Sequence, residues 1–91
     1  MIGRVTKSIA AENTFSDNLS VWGRFNLSLS GTWSATVVLQ RSFDNGTTWL
    51  TISTYAANIE DYGNEPEPVL MRFGVETGGY VSGTVVGRLS Y

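Results

Sequence analysis

The chain has no cysteine and no histidine among its 91 residues. The first absence removes disulfide staples and thiolate chemistry, and it weakens a reading as a small secreted animal module. The second removes the imidazole base of the usual serine-hydrolase triad and most zinc ligand sets. Charge is also sparse: six lysines and arginines against eight acids leave a formal net charge of −2. The basic residues Arg4, Lys7, Arg24, Arg41, Arg72 and Arg88 are spread along the sequence with no block suited to tracking phosphates, so nucleic acid is not an expected partner. No apolar run is long enough for a signal peptide or a membrane span, which predicts a chain made in the cytoplasm with no membrane partner.

What the sequence does contain is β periodicity. The length suits one domain, residues 1–91, at the small end of what folds alone. From Val21 to Ser30, Phe25, Leu27 and Leu29 alternate with Arg24, Asn26, Ser28 and Ser30, as a strand with one wet face requires. Gly31-Thr32 breaks the run, and Trp33, Ala35, Val37, Leu39 and Phe43 then mark an apolar face up to Phe43, with Arg41 the exception. These two strands are expected to pair as a hairpin, and Thr48 to Tyr55 to complete a three-strand meander. A second hairpin is expected from Val69–Glu76 and Tyr80–Tyr91 across Thr77-Gly78-Gly79, with Val81, Val85 and Leu89 as its apolar row. Ile2 to Ile9 supplies an edge strand, Ala10 to Leu19 a polar connection, and Ala56 to Pro68 a long irregular loop holding half the acids. Gly74, Gly83 and Gly87 inside strands suggest bulges or close backbone approach. The total is an all-β fold, a single small β-sandwich of about six or seven antiparallel strands, immunoglobulin-like or jelly-roll.

The sharpest local signal is Ser42-Phe43-Asp44-Asn45-Gly46-Thr47-Thr48-Trp49, which fits the Asp-box pattern of a β-hairpin. Asp44 can accept backbone N–H bonds across the turn, Asn45-Gly46 supplies positive φ angles, and Trp49 can fold back over it. Ser42, Asp44, Asn45, Gly46, Thr48 and Trp49 are therefore structural. The pattern resembles that of sialidase-type propellers, but it occurs once, which excludes a propeller.

Candidate contact residues come from elimination. Glu60, Asp61, Glu65 and Glu67 could in principle converge on calcium or serve as a carboxylate pair for glycoside hydrolysis. Their spacing fits no EF-hand, and Pro66 and Pro68 present Glu67 from extended backbone, so a contact-making loop is the better reading. Trp33 is assigned to the core and Trp49 to its own hairpin, which leaves Trp22, beside Arg24, as an exposed indole. Tyr62 joins the acidic loop, and Tyr91 either completes the last strand or anchors a subunit contact. The acceptor patterns at Asn18, Asn26 and Asn45 mean little without a secretion signal. No catalytic residue, metal or cofactor is expected.

The blocks Arg24–Trp33, Val38–Trp49, Glu65-Pro66-Glu67 and Tyr80–Ser90, taken in order, resemble small all-β proteins of tailed bacteriophages and prophages. The resemblance implies a non-enzymatic virion structural protein, foremost a capsid decoration (cement) or short head-spike protein. It implies a place on the phage head, the major capsid protein or other virion proteins as partners, and a homo-oligomer, with a trimer foremost. Trp22, Arg24, Glu60, Asp61, Tyr62, Glu65, Glu67 and Tyr91 are then the expected contacts. A neck or tail component, or a carbohydrate-binding module holding surface glycans, is the alternative.

Overall fold

The computed structural model describes residues 3–91, which form nine strands with no helix among them: β1 (Arg4–Ile9), β2 (Thr14–Phe15), β3 (Leu19–Ser30), β4 (Trp33–Ala35), β5 (Val37–Ser42), β6 (Leu50–Tyr55), β7 (Ile59–Val75), β8 (Tyr80–Gly83) and β9 (Val85–Ser90). The main sheet runs β1-β9-β3-β7-β5-β6, with β2 added to β7, and β4 and β8 form a second sheet of two strands. All pairings are antiparallel. This is the expected all-β fold, a small β-sandwich.

The long strands β3 and β7 organise it. At one end β9 pairs with Asn26–Ser30 of β3, and at the other β5 pairs with Leu70–Gly74 of β7. Between these ends the β3–β7 register jumps from Val21↔Val69 to Gly23↔Glu65, so Trp22 alone opposes Pro66-Glu67-Pro68. A bulge of this kind bends and twists the sheet, and prolines fit there because they have no N–H to give the ladder. Gly23, at φ +96°, takes the backbone through it. The two halves then face each other across one core of Ile9, Val21, Phe25, Leu27, Leu29, Val37, Leu39, Val69, Met71, Phe73, Val75, Val85 and Leu89. A Cβ on Gly87 of β9 would collide with the Phe73 ring of β7, a strand it does not pair with, so the halves meet there without a side chain between them.

Several expected pairings are corrected. Val21–Ser30 does not form a hairpin with Trp33–Phe43, because β7 and β9 occupy its two edges. Gly31-Thr32 does turn the chain, but into the second sheet, where β4 meets β8, and β5 then enters the main sheet beside β7. Of the meander only the β5–β6 hairpin forms. The Glu76–Gly79 turn is closed by Gly79 N donating to Glu76 O at 3.0 Å, yet it hands the chain to β8 and β9, which do not pair with β7. Ala56–Pro68 is not a loop: from Ile59 onward it is the first half of β7, laid along β3. Alternation identifies which face of a strand is dry and is silent about which strand lies beside it.

Individual side chains are corrected with the pairings. Phe43 and Val81 are exposed: Phe43 lies just past the end of β5, and Val81 lies on β8 of the two-stranded second sheet. Trp33 is half-buried against the core, with Nε1 donating to Asn58 Oδ1 at 2.6 Å. The N-terminal strand is an edge strand as expected from Arg4 onward, while Ile2 lies outside the described residues.

Candidate functional site

The Asp-box hairpin takes the expected form and serves the fold. Thr48 N donates to Asp44 Oδ1 at 2.7 Å, Ser42 Oγ donates to the same oxygen at 2.7 Å, and Gly46 N donates to Ser42 Oγ at 2.8 Å. Asn45 and Gly46 both have positive φ, 59° and 93°. The Thr48 N–H, followed by the Ser42 hydroxyl, holds the Asp44 carboxyl below its ordinary pKa. Trp49 lies on the outer face of the β5 half of the sheet, where the Arg72 guanidinium sits 4.3 Å from its ring and 3.9 Å from that of Phe15. Arg72 Nε donates to Gln40 Oε1 at 2.9 Å, and Gln40 Nε2 to Thr51 Oγ1 at 3.2 Å. That outer face is closed by the protein's own side chains, and burial there lowers the Arg72 pKa against the opposing pull of Glu76.

The acidic residues do not act together. Alternation along β7 sends Glu60 outward, where Ser28 Oγ donates to Glu60 Oε2 at 2.5 Å. Asp61 points the other way and accepts from Tyr55 OH at 2.8 Å; burial first, then this bond, raises the Tyr55 pKa. Glu65 is 3% exposed and takes two 3.0 Å bonds from Arg41 Nη1, so it is an internal ion pair and not a contact residue. Glu67 is exposed in the bulge opposite Trp22. Among the described residues no three acids are grouped as a metal site would need.

The register does bring other residues together on the outer face of the half made by β1, β9, β3 and β7. Arg4, Ser90, Asn26 and Tyr62 form one row across the strands, and Thr6, Arg88, Ser28 and Glu60 the next. Arg24 and Asn64 form the row on the other side of Tyr62. Rows on one face are about 7 Å apart and strands about 5 Å apart, so Arg24 neighbours Tyr62 on the diagonal while Arg88 lies two strands from Tyr62, with Asn26 between the two arginines. Arg24, Asn26, Tyr62, Arg88, Ser90 and Tyr91 line an open groove of about 580 Å³. Tyr62 is 84% exposed, and Ser90 Oγ donates to Asn26 Oδ1 at 2.7 Å in the groove floor. Tyr91 is half-buried, tied to Gly3 by backbone bonds of 3.0 and 3.1 Å, and so extends the sheet while lining the groove.

Of the residues expected at contacts, Arg24, Tyr62 and Tyr91 converge here and Glu60 sits one row away. Trp22, 64% exposed, and Glu67 mark the bulge, while Asp61 and Glu65 belong elsewhere. Sequence reasoning missed Arg4, Asn26, Arg88 and Ser90, which share one face only because β9 lies between β1 and β3. The outward positions of each strand were readable by alternation, but the order of the strands was not. Compared with known proteins, the chain matches no family profile, no curated protein and no solved structure.

Proposed function

We propose that the protein is a non-enzymatic structural component of a tailed-bacteriophage particle, a capsid decoration or short head-spike protein seated on the head through the Trp22 end of the sandwich. The ordered sequence blocks that resemble such proteins support this reading, and one feature of the fold carries it. Trp22 is 64% exposed at a bulge held by Pro66 and Pro68, so a large indole is presented on stiff backbone. An anchor ordered in advance loses little freedom when a partner covers it, and tryptophan is the residue type most enriched at such anchors. The partner in this reading is the major capsid protein or another virion protein, with Glu67 beside the indole at the contact. A trimer is the assembly we favour, because repeated sites on a particle reward a symmetric oligomer.

The test is the copy number of the chain in purified particles, by quantitative mass spectrometry against the major capsid protein. Copies comparable to the capsid protein support decoration. A few to a few dozen place the protein at a vertex, neck or tail, and absence from the particle overturns the reading. Trp22→Ala is expected to abolish attachment with the melting temperature unchanged. Deleting residues 56–68 is no test of a contact, because the deletion removes half of β7. The groove around Tyr62 favours a second reading, in which the chain binds carbohydrate.

A further inference from the structure

The face that carries Tyr62 differs in charge from the rest of the molecule. Arg4, Arg24 and Arg88 stand against Glu60 alone, a surplus of two positive charges, so the remainder of a chain of net −2 carries −4. Sequence spacing disperses these arginines, and strand register collects them. Diagonal to Arg24, on the neighbouring strand, stands a tyrosine ring that is 84% exposed, beside a polar floor of Asn26 and Ser90 that separates it from Arg88. Ser90 occupies the oxygen of the Asn26 amide, which leaves the amide nitrogen as the donor for a ligand. All of these groups sit on paired strands, so the site is formed before any ligand arrives.

We propose that this groove binds a carboxylate-bearing saccharide, an acidic pyranose unit within a larger glycan. The apolar face of the sugar ring lies on Tyr62, the carboxylate takes charge-assisted hydrogen bonds from Arg24 on the neighbouring strand, with Arg88 adding positive charge on the far side of Asn26, and a hydroxyl accepts from Asn26. The volume of about 580 Å³ is in the range of small-ligand sites. An acidic protein segment fits less well. Protein interfaces are apolar at their centre, and the outward positions in the rows on either side of Tyr62 are polar or charged, with the exposed Trp22 and Val86 lying outside those rows. The inference concerns the isolated chain and does not depend on its place in a particle.

The experiment titrates the isotope-labelled full chain with trigalacturonate, its full methyl ester and a hexaglutamate peptide, and reads backbone amide shifts. Trigalacturonate is expected to move signals from residues 24–26, 60–64 and 88–91 with a Kd of about 1 mM, as one shallow site allows. The methyl ester, with the same rings and no charge, binds at least about tenfold more weakly, as do Arg24→Gln and Tyr62→Ala, while Tyr62→Phe retains binding. Equal binding of the ester overturns the role of the arginines. Hexaglutamate binding as tightly as trigalacturonate, and unmoved by Tyr62→Ala, overturns the saccharide in favour of an acidic protein segment. Absence of any shift at about 20 mM, some twentyfold above the expected Kd, overturns the site.

Discussion

The two outer faces of the sandwich use the same pair of side-chain types to opposite ends. On the β5 half, Arg72 is held between Phe15 and Trp49 at 3.9 and 4.3 Å, and its Nε is bonded to Gln40. On the β9 half, Tyr62 stands 84% exposed between the strand rows of Arg24 and Arg88, with no second aromatic layer over it among the described residues. A guanidinium stacked on rings stabilises the molecule when both partners belong to it, whereas a ring left exposed offers its face to a ligand. The closed face is explained by β2, which brings Phe15 across Gly74, and by the Asp-box hairpin, which delivers Trp49. Among the described residues neither element has a counterpart on the open face.

The largest effect is expected beneath both faces. Phe73 is fully buried and meets Gly87 of the opposing half, so Phe73→Ala opens a cavity between the layers. A loss of about 3–5 kcal/mol is expected, a large share of the stability of a chain of this size. Chemical denaturation checks it, and a loss below about 1 kcal/mol would mean that the halves are not packed as described. Next comes Arg72→Ala, which removes the layer closing one face, at a cost of about 2 kcal/mol. Arg72→Met is expected to recover about half of that by keeping the stem between the rings, which separates packing from charge.

The closed face was partly legible in the sequence and the open one was not, for a physical reason. Ser42, Asp44, Gly46 and Thr48 bond within a few residues of one another, so their geometry is written in local spacing. The strands themselves were legible, since Phe25, Leu27 and Leu29 alternate as one buried face must. Arg4, Arg24 and Arg88 share a face only through pairing across sixty residues of sequence or more, as in Arg4↔Ser90 and Ser28↔Arg88. The segment 59–68 misled because its acids and prolines have the composition of a loop, while β3 offered residues 59–65 a continuous partner and Arg41 offered Glu65 a counter-charge. Tertiary pairing outweighs local preference in such strands.

A smaller effect, confined to the hairpin that closes one face, is expected from acid. The Thr48 N–H and the Ser42 hydroxyl favour the charged form of Asp44 and lower its pKa in the folded protein. A group lowered in this way stabilises fully above its unfolded pKa of about 3.9 and loses that contribution as pH falls through the folded value. The melting-temperature gap between the wild type and Asp44→Asn is therefore expected to be widest near neutrality and to shrink below about pH 4. A gap that stays constant into strong acid would show that the Asp44 charge is not what the turn uses.

The smallest effect on stability belongs to Tyr62, and it bears most directly on the difference between the faces. Its ring is 84% exposed, so Tyr62→Ala removes almost no buried area, and the remaining cost is the lower strand preference of alanine. The expected change is within about 0.5 kcal/mol, or a few degrees in melting temperature. Set beside Arg72→Ala, this variant measures how differently the two faces are used. A loss as large as that of Arg72→Ala would mean that the Tyr62 ring is packed in solution, which would close the groove and leave no free aromatic surface to hold a ligand. A negligible loss keeps the ring exposed, and an aromatic that contributes nothing to folding is then available for binding.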